Sequence, residues 1–384
     1  MDDKARLEVL TTPSNRDGVR LQAEKTIEMN RDFFNFKMTQ FPHMEVAIDS
    51  LKKGTGDLLA MSIKDWKKHD IDGLKISAFL PRREPTWVLV SDDKPEYLPL
   101  NAIVLCENKL ITRQMLRMRD DLQIITFDDF ITSYYQNDSV EELSHEQVMS
   151  FAEQMRVEDT IDGYVISRGE FSQIKGKLRR HTLGMQREKP SQEFERSTFI
   201  PPPLEGFTIL VSRIGFPNNV IQRMNDSASQ ICFEIENSIY ESLSDDLRDI
   251  SGIYAEQKKL STILKQYVKL LDESYSLKLG ENYLIPSTKK KINSKTKWTA
   301  SKKIIQGPRI CIYFEILDPQ GNVSLEMVRI EPIEKGHIER GKNVLIMEIK
   351  FLIELLQKDH DEQKRIISGL PEEYRLPRPG LLKL

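Results

Sequence analysis

The feature that most constrains this chain is the regular exchange of short apolar runs with segments of helical spacing. Leu7 to Thr11 reads as a strand, and Gly18 to Met29 as a helix with Val19, Leu21, Ala23 and Ile27 on one broad face. Phe33 to Phe41 returns as a strand, Val46 to Lys53 is a helix closed by Gly54 and Gly56, and Asp57 to Met61 is a buried strand. Leu74 to Leu80 and Trp87 to Ser91 are further strands. Strands alternating with helices predict an α/β architecture with a largely parallel or mixed sheet.

Around Asp92 to Pro99 the chain turns polar and carries two prolines, which predicts a linker. A second α/β unit follows: strand Ala102 to Leu105, helix Leu110 to Arg119, strand Leu122 to Thr126, and a last clear strand at Gly163 to Ser167. A basic stretch, Lys175 to Lys189, leads to the break at Pro201-Pro202-Pro203, after which Phe207 to Ser212 reads as a strand. Val220 to Leu243 has helical spacing, and Gly252 to Glu256 and Ile310 to Leu317 read as strands of a third unit. Asp318-Pro319-Gln320-Gly321 is a strong turn from which Val323 to Ile330 returns as the second arm of a hairpin. Val344 to Leu356 is an amphipathic helix, and a proline-rich tail begins at Ser368.

A chain of 384 residues suggests two to three domains at roughly 100–200 residues each. The formal charge of −3 gives no bulk attraction to nucleic acid or anionic membranes. No run of eighteen or more apolar residues occurs, so a membrane span is not expected. Cys106, Cys232 and Cys311 are far apart and form no CxxC pair, which argues against a disulfide framework and fits a reducing cytoplasm. The six histidines, His43, His69, His145, His181, His337 and His360, show no HxH or HExxH spacing, so no metal site is expected. Lysines from Lys289 to Lys303, with Trp298 among them, could face a phosphate backbone, but a solvated loop is the expected reading. The stretch Lys175 to Lys189 is expected as a surface loop, with a cleft-facing anion site as the sharper alternative.

Four segments resemble the hydroxymethylbilane synthase (porphobilinogen deaminase) family in order. Gly56-Asp57-Leu58-Leu59-Ala60-Met61-Ser62-Ile63-Lys64-Asp65, followed by Leu80-Pro81-Arg82-Arg83-Glu84-Pro85, is similar to the family's catalytic segment. Leu110 through Leu122 looks like its arginine-bearing helix with one residue missing. Ile200 through Arg213 and Glu236 through Glu256 align without gaps to two further family segments. The resemblance implies three domains: 1–97 with 200–222, then 98–199, then 223–384 with an insertion at 257–305. It implies two similar mixed-sheet domains around a cleft, like those of solute-binding proteins, and a C-terminal α+β domain with an open-faced antiparallel sheet.

By the same resemblance the activity is polymerisation of porphobilinogen in tetrapyrrole biosynthesis on a dipyrromethane cofactor, with Asp65 as the proton-transfer carboxylate. Ser62, Lys64, Arg113 and Arg16 become candidates for holding the anionic pyrrole, since ammonium and guanidinium groups pair with carboxylates. Read without the resemblance, Ser62 or Asp65 simply caps a helix start. The family's cofactor cysteine falls on Leu247, which forms no thioether, so covalent attachment is not expected. Ile111 and Thr112 stand where the family has paired arginines, and Asp128 and Asp129 fall where another arginine segment belongs. The alternative reading is therefore a catalytically inactive protein that holds a pyrrole, another anion or a partner protein in the cleft. A cytoplasmic monomer is expected.

Overall fold

The structure is a computed structural model that describes residues 5–13, 18–135, 144–172, 174, 178–185, 198–260, 262–263, 307–319, 321, 324–356, 358–369 and 381–383. In chain order the first half runs β1 (Ala5–Thr11), α1 (Val19–Asn30), β2 (Phe34–Gln40), α2 (Met44–Lys52), β3 (Leu58–Ser62), α3 (Ile63–Lys68), β4 (Leu74–Phe79), β5 (Trp87–Val90), β6 (Ile103–Cys106), α4 (Lys109–Met118), β7 (Gln123–Ile125), α5 (Phe127–Tyr135), α6 (His145–Val157), β8 (Gly163–Ser167), α7 (Arg168–Phe171) and β9 (Arg180–Leu183). The rest comprises β10 (Thr208–Arg213), α8 (Asn218–Ile221), α9 (Ser227–Ser242), α10 (Asp245–Arg248), β11 (Ser251–Lys259), β12 (Pro308–Leu317), β13 (Ser324–Pro332), α11 (Lys335–Leu356), α12 (His360–Gly369) and β14 (Leu381–Lys383).

Two five-stranded mixed sheets repeat one plan. The first has the order β2-β1-β3-β10-β4 and the second β7-β6-β8-β5-β9. In each, three parallel strands are followed by one reversed strand, β10 or β5, and then by an edge strand paired antiparallel to it. The expected α/β class, with two similar mixed sheets and a C-terminal sheet unit, is the class found. Every residue of β3 is buried, which is why it reads as a continuous apolar run instead of an alternating one. Leu7 and Val9 pack with Leu58 and Ala60 against Val19 and Ala23 of α1. The alternate positions Leu10, Leu59 and Met61 are also buried, and α2 packs against β1, β3 and β10. The second sheet builds its core from Val88, Val90, Leu105, Tyr164 and Ile166 with Phe127, Phe151 and Met155 of α5 and α6.

By internal packing the chain divides into two compact units. The first comprises Met1–Thr112, Asp121–Gly184 and Pro201–Asn237 and contains both mixed sheets; the second comprises Arg113–Asp120, Met185–Ile200 and Ser238–Leu384. β5 belongs to the second sheet, so the chain leaves the first sheet between Phe79 and Trp87, upstream of the polar stretch at Asp92 to Pro99. In the second unit β11, β12 and β13 pair antiparallel, with Ile316 opposite Leu325 and Leu317 opposite Ser324 at the hairpin end. Gly321 donates its N–H to the Asp318 carbonyl at 3.1 Å and has φ +71, the left-handed conformation that this turn requires of it. β14 adds a parallel edge to the antiparallel sheet, and α11 packs against β13.

The structure corrects three readings of the elements. The helical spacing from Val220 to Leu243 is broken at Asn225 and Asp226, where the Asp226 carboxylate caps α9 by accepting the Ser229 N–H at 2.8 Å. The basic stretch at Lys175 to Lys189, expected as a loop, contributes β9, whose Arg180 lies over the Phe171 ring at 4.6 Å. Helix α11 begins nine residues before Val344. The lysine-rich segment at Lys289 to Lys303 lies outside the described residues. Among the described residues no helix is long and apolar enough to cross a membrane.

Candidate functional site

β3 and β8 occupy equivalent places, each beside the reversed strand of its sheet, and each runs straight into a helix. Both helices start on a serine followed three residues later by an acid, the spacing of a capping box. Ser62 Oγ accepts the Asp65 N–H at 3.1 Å and donates its hydroxyl to Asp65 Oδ2 at 2.7 Å. Ser167 Oγ accepts the Glu170 N–H at 3.1 Å, and Glu170 Oε2 accepts the Ser167 N–H at 2.8 Å.

Two segments carry the chain between the sheets, 80–86 outward and 201–207 on return. They run side by side: Leu80 N–H donates to the Thr208 carbonyl at 3.0 Å and Arg83 N–H to the Gly206 carbonyl at 3.1 Å. Gly206 has φ +78, and a Cβ there would stand 2.5 Å from the Arg83 carbonyl oxygen, so this approach needs glycine. Arg82 locks the pair of segments to α9. Its guanidinium grips the Glu236 carboxylate with both Nη atoms, its Nε donates to the Glu205 carbonyl at 2.9 Å, and it covers the Phe207 ring at 3.9 Å.

These elements enclose a cleft of about 570 Å³ within the first unit. Its lining includes Ser62, Lys64 and Asp65 from the first sheet's side, Arg168 and Glu170 from the second's, and Arg83, Glu84 and Glu205 from the crossing segments, with Trp87, Asn108 and Phe207. Three cations therefore face four carboxylates. Lys64 pairs with Glu205, and Arg168 Nη1 lies 2.7 Å from Glu84 Oε2. Asp65 is engaged by the Ser62 hydroxyl, while Glu170 is engaged by the Ser167 N–H and lies 3.6 Å from His145 Nε2.

The cleft brings together three of the residues singled out in the sequence, Ser62, Lys64 and Asp65. Arg113 belongs to the second unit, where Nη1 donates to the Leu317 carbonyl at 2.6 Å and burial pushes its pKa down, opposed by Asp318. Leu247 sits half-buried in α10 of the second unit, its N–H bonded to the Ser244 carbonyl at 3.0 Å, with Asp245 and Asp246 beside it. Arg16 lies outside the described residues. The three cysteines are buried thiols; burial pushes Cys106 up to about 11 and Cys311 up to about 12. Among the described residues no group of three or more His, Cys, Asp or Glu side chains is placed to hold a metal ion. Sequence reading misses Arg168 and Glu170; the available signal is the recurrence of Ser-x-x-Asp/Glu at Ser62 and Ser167, each closing a buried strand.

Comparison with known proteins bears on the family. No family model matches the chain, and no curated protein does. Solved structures similar to it include a point mutant of the OxyR2 regulatory domain from Vibrio vulnificus, at 12% identity and TM-score 0.29 over 58% of this chain and 93% of that one. YhfZ from Shigella flexneri matches at 12% identity and TM-score 0.29, over 58% of this chain and 90% of its own. A double mutant of the BvgS VFT2 domain from Bordetella pertussis matches at 14% identity and TM-score 0.30, over 61% and 91%. These neighbours are not hydroxymethylbilane synthases. The expected membership of that family, and with it tetrapyrrole biosynthesis, is therefore corrected. The physical reason lies in the residues. The matched segments are mostly short apolar strands and helix starts that any such sheet requires, whereas the polar positions that carry the family's chemistry are replaced at Ile111, Thr112 and Leu247.

Proposed function

We propose that the chain is a ligand-binding protein, not a polymerising enzyme, and that the cleft of its first unit takes a small anionic ligand. The observation that carries this reading is the convergence of Lys64, Arg83 and Arg168, from three separate segments, on one cavity of about 570 Å³. That volume lies within the range of roughly 300–1,000 Å³ in which small-molecule sites fall. Ammonium and guanidinium groups supply charge-assisted hydrogen bonds to carboxylate or phosphate oxygens. Trp87 and Phe207 offer apolar wall for a ligand's carbon frame. Asp65 and Glu170, which would repel an anion, are engaged at the helix starts by Ser62 and Ser167.

Calorimetric titration of the full chain at low ionic strength, with inorganic phosphate, pyrophosphate and succinate and with glycerol as a neutral control, tests this. Saturable binding of at least one anion that weakens with added salt supports it, as does a loss of roughly tenfold or more on Lys64→Gln or Arg168→Gln. An absence of binding by all three anions, with the protein folded, sinks the reading.

A further inference from the structure

This inference rests on the anion-site reading and concerns what holds the cleft's cations before a ligand arrives. Lys64 and Arg168 stand within two residues of the capping serines of α3 and α7, one on each side of the cleft. Each forms an ion pair that reaches away from its own sheet. Lys64 pairs with Glu205 and Arg168 with Glu84, and both carboxylates belong to the crossing segments at the cleft wall. We propose that Glu84 and Glu205 are internal surrogates for the ligand's anionic groups, which hold the two cations until a ligand that carries two anionic groups takes them over.

Exposure decides that these pairs are exchangeable. The side chains of Lys64 and Arg168 are 61% and 39% exposed and that of Glu84 is 55% exposed, so water screens both attractions. Glu205 is deeper, at 17%, and its carbonyl accepts the Arg82 Nε hydrogen bond at 2.9 Å, so the backbone that carries its carboxylate is held independently of the Lys64 pair. A monoanion that displaces one surrogate exchanges like for like and keeps a displaced carboxylate nearby. A ligand with two anionic groups satisfies both cations at once, and joining the groups in one molecule makes the second contact intramolecular. The surrogates therefore select against singly charged ligands.

The experiment is calorimetric titration of pyrophosphate, succinate and acetate into wild type, Glu84→Gln, Glu205→Gln, the double variant and, as a charge control outside the cleft, Glu28→Gln. Pyrophosphate or succinate is expected to bind wild type more tightly than acetate. Each single surrogate variant is expected to tighten that binding severalfold, and the double variant roughly tenfold or more. Glu28→Gln removes an exposed charge of the first unit that pairs with Arg31 outside the cleft lining, so it is expected to change affinity less than twofold. Wild-type binding that the double variant leaves unchanged overturns the surrogate role while the anion site stands. Equal tightening by Glu28→Gln also overturns it, because general charge then explains the effect. No binding of pyrophosphate or succinate by wild type or the double variant overturns both readings. Glu84→Gln, at an exposed position, keeps the test informative if Glu205→Gln lowers the melting temperature.

Discussion

Removing the Glu236 carboxylate tests how the crossing segments are held. Glu236 is fully buried, and its partner Arg82 is 10% exposed. One carboxylate serves three donors: both Arg82 Nη atoms, and the Leu204 N–H at 3.0 Å. Glu236→Leu strands a buried guanidinium and an amide, which costs about 3–5 kcal/mol of first-unit stability. Arg82→Met strands the carboxylate and costs a similar amount. The double variant removes both charges and leaves only neutral groups unsatisfied, at about 1–3 kcal/mol. The two substitutions are thus expected to couple by at least about 3 kcal/mol. Urea unfolding followed by tryptophan emission in a Trp298→Phe background reads the first unit through Trp66 and Trp87. A coupling below about 1 kcal/mol refutes the reasoning, since it would mean that the pair is solvated and replaceable.

Two further outcomes follow from buried groups. In the second unit Glu315 accepts hydrogen bonds from Gln114 Nε2 at 2.7 Å and from Arg117, with both members of the ion pair buried; Glu315→Ala is expected to lose about 3–5 kcal/mol and Glu315→Gln less, read as the second unit's calorimetric transition. The Cys106 thiol is pushed up to about 11 from 9.0 by burial, so the folded state keeps its proton where the unfolded chain has lost it. First-unit stability is therefore fully present below pH 9 and falls as the pH rises through 11, by up to about 3 kcal/mol. Urea unfolding from pH 8 to 11 checks this, and a slope in Cys106→Ala equal to that of wild type would refute it.

The first sheet is legible in the sequence because its strands announce themselves locally. Leu58 to Met61 is apolar throughout, and Gly54 and Gly56 end the helix before it. The second sheet is harder to read. β7 is three residues long, and β9 is Arg-His-Thr-Leu, an edge strand whose polar side chains meet the composition of a loop. Helices α5 and α6 escape a reading that compares Phe127-Asp128-Asp129-Phe130-Ile131 with an arginine segment, although its own spacing places Phe127 and Ile131 on one buried face. At the site, Ser62, Lys64 and Asp65 can be read from their place after a buried strand. Arg168 and Glu205 cannot, because the cleft joins positions 100 to 140 residues apart, and only the paired crossing segments bring them together.

The place of β10 also sets an order in time. It lies between β3 and β4 in the first sheet, yet it is made last, at residues 208–213. During synthesis β4 therefore emerges with no strand neighbour, and it must wait for about 130 more residues before one arrives. Every strand of the second sheet lies between residues 87 and 183, so that sheet is complete on the ribosome while the first is still open. The N-terminal sheet is the later one to close, and the exposed edges of β3 and β4 are the nascent chain's window for mispairing.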